Sequence, residues 1–229
     1  MDVLRIEVRE TNCYLLRGEG GTVLIDPGPS GSAETVMTGA KAADIQPGDV
    51  LLILVSHGHM DHYGAAAEIK AWCGAPVAAY PGEPEFSQDR RNALPPAQTL
   101  RSSIVRWFYF LLSPLAHFAP LEADLQMEEG ADLAAYGVNA QTVLLPGHSP
   151  GSLGVSTAEG DVFVGDLFVN YTVPSEPLYL SDREAWQHSC EKVRAMEPRM
   201  VYVGHGEPFT GERLDVIHPA RYQMRWWVR

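Results

Sequence analysis

Short apolar runs separated by turn residues punctuate the chain, and their period sets the expected elements. Val50-Leu51-Leu52-Ile53-Leu54-Val55 contains no polar position, which predicts a strand buried on both faces. Shorter alternating runs at 4–8, 13–16 and 22–25 predict an amino-terminal antiparallel set, with turns at Thr11-Asn12 and Gly18 to Gly21. The stretch 32–43 predicts a helix, with Ser30 or Ser32 as its cap and Glu34 in its first turn. Ala65-Ala66-Ala67-Glu68-Ile69-Lys70-Ala71-Trp72 predicts another, followed by a strand at 76–80. The second half repeats the theme: strands at 141–145, 152–157 and 161–165, a helix at 182–196 and a strand at 200–203. No period of 20–50 residues recurs, which excludes a solenoid.

Polar chemistry is concentrated where these strands end. Val55-Ser56-His57-Gly58-His59-Met60-Asp61-His62 places three imidazoles and a carboxylate within six positions of the loop leaving the 50–55 strand. His57 and His59, two apart in extended chain, point the same way, while Asp61 and His62 can turn toward a second centre. The arrangement recurs at Leu145-Pro146-Gly147-His148, at Val164-Gly165-Asp166 and at Val203-Gly204-His205. A single histidine at a strand end is more often a hydrogen-bonded structural residue, and a single aspartate more often a cap or turn residue. Five of the eight histidines at strand ends, three of them in one motif, reverse that balance in favour of metal binding. His117, His188 and His218 lack such a setting and read as ordinary residues.

His57-x-His59-x-Asp61-His62, followed by His148, Asp166 and His205, resembles the ligand set of the metallo-β-lactamase superfamily of hydrolases. The resemblance runs from about Asp26 to His205 and implies an α/β fold, an αβ/βα sandwich of two mixed sheets flanked by helices. It implies one metal held by His57, His59 and His148, and a second held by Asp61, His62 and His205. Asp166 would bridge them, together with a water or hydroxide. Asp26, in Leu24-Ile25-Asp26-Pro27-Gly28, matches the early aspartate that braces the metal-binding loop in that family without ligating.

Two divalent ions in such a site lower the pKa of bound water from about 15.7 toward 7 and supply hydroxide at neutral pH. Imidazole and carboxylate donors suit zinc first, and also iron or manganese. Asp61 is the candidate catalytic residue: it could ligate, orient the nucleophile and pass a proton to the leaving group.

Composition bounds the remaining possibilities. A chain of 229 residues, 45% hydrophobic and 20% charged, is read as a single globular domain spanning 1–229. A net charge of −12 with no basic run argues against a nucleic-acid partner and for a small-molecule substrate. Three widely spaced cysteines, Cys13, Cys73 and Cys190, fit reduced thiols, and the amino terminus is unlike a signal peptide, so a cytoplasmic enzyme is expected.

One segment, at about 84–121, reads as an inserted cap. It is arginine-rich at first (Arg90, Arg91, Arg101, Arg106) and then strongly apolar through Trp107-Phe108-Tyr109-Phe110. It is too short for a membrane span, and Arg106 and Pro114 interrupt it. Trp107, Phe108 and Phe110 are candidate substrate-lining residues; packing on the core, a homodimer contact or a membrane-surface contact are the competing roles. Trp226 and Trp227, near the carboxyl end, are expected to dock.

Departures from individual branches of the family narrow the chemistry. True β-lactamases generally lack the bridging aspartate that Asp166 provides. Glyoxalase II carries a sizeable helical carboxyl-terminal region that binds glutathione, whereas 24 residues follow His205 here. Acyl-homoserine lactonases place a tyrosine three residues past the bridging aspartate; Val169 stands there, and Tyr171 two further on becomes a candidate substrate contact. The expected activity is hydrolysis of a small ester, thioester or lactone with an apolar portion. An iron-dependent, persulfide dioxygenase-like oxidoreductase and a phosphodiester hydrolase are the alternatives.

Overall fold

Alternation along the strands decides which layer each side chain enters. In β2 (Thr11–Arg17), Cys13 and Leu15 face one side while Tyr14 and Leu16 face the other, and all four are buried. In β4 (Val50–Leu54), Ile53 takes the first side and Leu52 and Leu54 take the second. A strand covered on both faces needs two apolar sets, which explains the unbroken run at 50–55.

A computed structural model of the chain describes residues 1–88, 103, 104, 107 and 120–217. Among the described residues the first sheet has eight strands. Besides β2 and β4 it contains β1 (Asp2–Val8), β3 (Thr22–Ile25), β5 (Val77–Ala79), β6 (Leu125–Gln126), β10 (Val169–Asn170) and β12 (His205–Gly206). The order is β10-β12-β2-β3-β4-β5-β6, with β1 paired to β2, and the pairing is mixed: β2 with β3 antiparallel, β3 with β4 and β4 with β5 parallel. The second sheet has five described strands, with β7 (Ala140–Leu144), β8 (Leu153–Thr157), β9 (Asp161–Phe163), β11 (Met200–Tyr202) and β13 (Phe209–Thr210) in the order β13-β11-β9-β8-β7.

Between the sheets lies a core of Tyr14, Leu16, Val23, Ile25, Leu52 and Leu54 packed against Leu153, Val155 and Phe163. Helices α1 (Ala33–Ala42) and α3 (Ala66–Cys73) cover the outer face of the first sheet through Val36, Ala40, Ala66 and Ile69. A helix at Arg183–Ala195, α5, covers the second through Trp186, Cys190 and Val193. Asp182 caps it by accepting from the Glu184 and Ala185 amides at 2.9 and 3.0 Å. The two mixed sheets flanked by helices are the αβ/βα sandwich expected from the sequence.

Three local expectations need correction. The β1–β2 turn falls on Arg9 and Glu10, with φ of 50° and 73°, and Val8 faces Thr11 in the ladder. Thr11 and Asn12 are in β2, because the Asn12 side chain is buried in a network that a solvent-facing turn residue does not make. The ligand motif is not loop throughout: Met60–Tyr63 forms a helical turn, α2, which brings Asp61 and His62 to His205 while the His62 ring stays 4.1 Å from that of His57. Ser32 occupies the N-cap position of α1, but its hydroxyl donates to Pro27 O at 3.4 Å rather than capping.

Most of the segment at 84–121 lies outside the described residues, including Phe108 and Phe110. Its beginning forms the short helix α4 (Glu83–Gln88), and its two described ends meet, with Leu121 N donating to Ser87 Oγ at 3.0 Å. Trp107 is 61% exposed. The tryptophans at 226 and 227 also fall outside the described residues.

Candidate metal centre

All seven predicted ligands converge at the carboxyl ends of the strands, across the seam between the two sheets. His57, His59, His148 and Asp166 form one cluster of potential donor atoms, and Asp61, His62 and His205 form another. Asp166 lies between them: its Oδ2 is 3.5 Å from His148 Nε2 and 3.3 Å from His205 Nε2, and its Oδ1 is 3.5 Å from His62 Nε2.

The outward-facing nitrogens of four imidazoles are already committed, which fixes the tautomers. His148 Nδ1 donates to Tyr179 O and His205 Nδ1 to Glu10 O, both at 2.8 Å. His62 Nδ1 donates to Asp26 Oδ2, also at 2.8 Å. Ser56 Oγ gives its own proton to Asp26 Oδ2 at 2.7 Å, so it accepts from His57 Nδ1 at 2.9 Å. Nε2 of all four therefore faces the centre.

Those inward nitrogens crowd together. His57 Nε2 is 3.1 Å and His148 Nε2 is 2.9 Å from His59 Nδ1. One proton on His59 could satisfy only one of the two facing lone pairs. His59 Nε2 and Asp166 Oδ1 are buried without a hydrogen-bond partner. Closely packed lone pairs beside a buried carboxylate oxygen with no hydrogen-bond donor are the signature of a cation site, and the nitrogen and oxygen donors fit a divalent ion.

Electrostatics separates the two clusters. Burial, joined by the neighbouring His62 and His59, holds His57 well below the usual imidazole range; burial also brings His59 down to about 3 and lowers His148. In the second cluster burial acts the same way but is outweighed: Asp166, Asp61 and Asp26 lift His62 to about 9, and Asp166 and Asp61 lift His205 well above 6.5. Asp61 and Asp166 stay well below the usual carboxylate range, because attraction to His62 and His205 exceeds the burial penalty. The first cluster presents bare nitrogens, while the second holds protons that a metal would displace.

Several supporting residues were not anticipated. Ser56 couples Asp26 to His57. Asn12 Nδ2 donates to Val203 O at 2.8 Å and Gly206 O at 2.7 Å, and Tyr14 Oη donates to Val203 O at 2.7 Å, so three contacts fix the His205 loop. Asp26, which the resemblance had already assigned to bracing this loop, has φ +53° and accepts the Ser56 amide at 2.7 Å. Glu83, 1% exposed, joins the two loops that carry His57, His59 and His148. The one sequence signal for Glu83 was the glycine set between the paired histidines. Tyr171 flanks the second cluster, its ring 6.4 Å from that of His205, and the Phe86 ring lies 6.0 Å from that of His59. His188 is exposed on α5, away from either cluster.

Fold and site together define a metal-dependent hydrolase. The sequence model of the Metallo-beta-lactamase superfamily matches residues 6–205, and the chain belongs to that superfamily. It is 28% identical to the probable metallo-hydrolase YflN of Bacillus subtilis, over 83% of this chain and 77% of that protein. It is 27% identical to the hydroxyacylglutathione hydrolase GloC of Haemophilus influenzae, over 73% of this chain and 71% of that protein. Among solved structures, TTHA1623 in a di-iron-bound form superposes with a TM-score of 0.67 at 27% identity, covering 95% of this chain and 98% of that one. Among the described residues no helix is long and apolar enough to cross a membrane.

Proposed function

We propose that the chain hydrolyses a small ester, thioester or lactone carrying an apolar portion, at a binuclear centre. The observation that carries this reading is the convergence of seven donors in two clusters with Asp166 between them. His57, His59 and His148 would hold one ion, Asp61, His62 and His205 the second, and Asp166 both. The imidazole and carboxylate donors suit zinc first, with iron or manganese as the competitors; TTHA1623 was solved in a di-iron-bound form. The bound ions would supply hydroxide at neutral pH by lowering the pKa of water from about 15.7 toward 7.

The remaining work falls to the chain. Asp26 and Ser56 hold His62 and His57 in the tautomers the centre needs. The Asp61 side chain is 47% exposed and lies 3.3 Å from His205 Nε2; held ionised by His62 and His205, it is suited to accept the hydrogen bond that orients the attacking water and the proton passing to the leaving alkoxide or thiolate. Tyr171, raised in pKa by burial, remains protonated and offers a ring and a hydroxyl beside the second cluster for the substrate. Phe86 provides apolar surface beside His59. The acidic surface supports a small-molecule substrate over a phosphodiester polymer. The three unpaired cysteines support a reducing, cytoplasmic setting.

The test is a substrate panel of aryl esters, acyl thioesters, lactones and a bis-aryl phosphodiester, run on protein whose metal content is measured in parallel. Turnover of the carboxylic substrates above the phosphodiester is expected, and Tyr171→Phe should raise KM more than it lowers kcat. Turnover restricted to the phosphodiester, or oxygen uptake with a persulfide substrate, would overturn the proposed reaction.

A further inference from the structure

Three imidazoles of the first cluster come from two loops on different sheets. Residues 56–59, after β4, carry His57 and His59, and residues 145–152, between β7 and β8, carry His148. A backbone bond from Leu153 N, the first residue of β8, to Ser56 O at 2.7 Å ties the end of the second loop to the start of the first. The Glu83 carboxylate supplies a further link. Its Oε2 accepts the Gly58 amide at 2.6 Å, between the two histidines of the first loop. Its Oε1 accepts the Ser149 hydroxyl and the Gly151 amide, both at 2.7 Å, just beyond His148.

Both loops are shaped around this group. A Cβ on Gly58 would lie 2.9 Å from Glu83 Oε2, and a Cβ on Gly151 would lie 2.9 Å from Oε1. Ser152 Oγ, 2.8 Å from Ser149 Oγ, completes the set by leaving the Ser149 proton directed at Glu83. A buried carboxylate tolerates desolvation only when donors converge on it, and here each donor belongs to a ligand-bearing loop.

We propose that Glu83 is a positioning residue of the first metal centre: by clamping the two loops it fixes the spacing of His57, His59 and His148 and so sets the metal affinity of that centre. The inference rests on the reading of these three histidines as ligands. Metal–ligand distances tolerate only about 0.2 Å of error, whereas each loop alone could relax by more once the shared acceptor is lost. Partners that orient ligands typically change metal affinity by roughly 10- to 100-fold when removed.

The experiment measures Zn2+ affinity by competition with a chromophoric chelator in the wild type, in Glu83→Gln, and in both forms carrying His205→Ala to read the first centre alone. Co2+ absorption spectra and urea unfolding of the metal-free proteins accompany it. Glu83→Gln should weaken Zn2+ at the first centre by roughly 10- to 100-fold and alter the Co2+ bands. Glu83→Asp, which keeps the charge but shortens the reach, should not restore either. Unchanged affinity and spectra, with only the metal-free stability lowered, would show a purely structural role and overturn the inference. If Glu83→Gln does not fold, Ser149→Ala removes one donor and should weaken Zn2+ severalfold; equal affinity there overturns the inference as well. A wild type that binds no Zn2+, Co2+ or iron would instead refute the ligand assignment beneath it.

Discussion

Gly204 sits immediately before His205, and its role is space. A Cβ built there lies 2.2 Å from Asp166 Oδ1, 2.7 Å from His62 Cε1 and 3.3 Å from Gly165 C, where ordinary contact begins near 3.4 Å. Gly204→Ala therefore requires the Asp166 carboxylate or the His205 loop to retreat by roughly 1 Å, several times the tolerance of about 0.2 Å for a metal ligand. The loop cannot yield easily, because Asn12 and Tyr14 hold the Val203 and Gly206 carbonyls. Overpacking of this kind costs about 1–3 kcal/mol of stability, but the larger consequence falls on metal content, since Asp166 faces both clusters. Metal analysis after dialysis, with turnover of an aryl ester, provides the assay. Loss of metal from the second centre, weakened binding at the first and a fall in kcat are expected. Gly48→Ala, where nothing lies within 4 Å of the added carbon, is the matched control. Wild-type metal content and turnover in Gly204→Ala would refute the argument that Asp166 and His62 must keep these positions.

Asp166→Ala should disturb both centres, whereas His205→Ala should chiefly empty the second; metal analysis of each variant distinguishes them, and equal loss in both would contradict the shared role of Asp166. Metal binding should also depend on pH in a definite order. In the metal-free protein His62 and His205 have raised pKa values and already take up protons as pH falls from alkaline to neutral, while burial keeps His57, His59 and His148 neutral to lower pH. Protons compete with metal for the same nitrogens, so the second centre should lose its ion at higher pH than the first in a Zn2+ titration; release in the opposite order would contradict the electrostatic division of the site.

The sequence by itself determined the elements and the ligand types. Fully apolar strands such as 50–55, alternating strands such as β2, and histidines or aspartates placed at strand ends are local patterns, and local patterns survive in one dimension. The fold class and the family followed from them. What only the tertiary structure decided was how ligands from separate strands are held against one another. Ser56 couples Asp26 to His57, Asn12 secures the His205 loop, and Glu83 ties residues 56–59 to residues 145–152; in each case the partners are tens to nearly two hundred residues apart along the chain. No periodicity encodes such a link, because a buried polar group needs donors at about 3 Å in space rather than at any fixed spacing in sequence. The Arg9–Glu10 turn shows the same limit on a smaller scale: Asn12 has the usual character of a turn residue, but the carbonyls waiting beside β2 drew its amide into the interior.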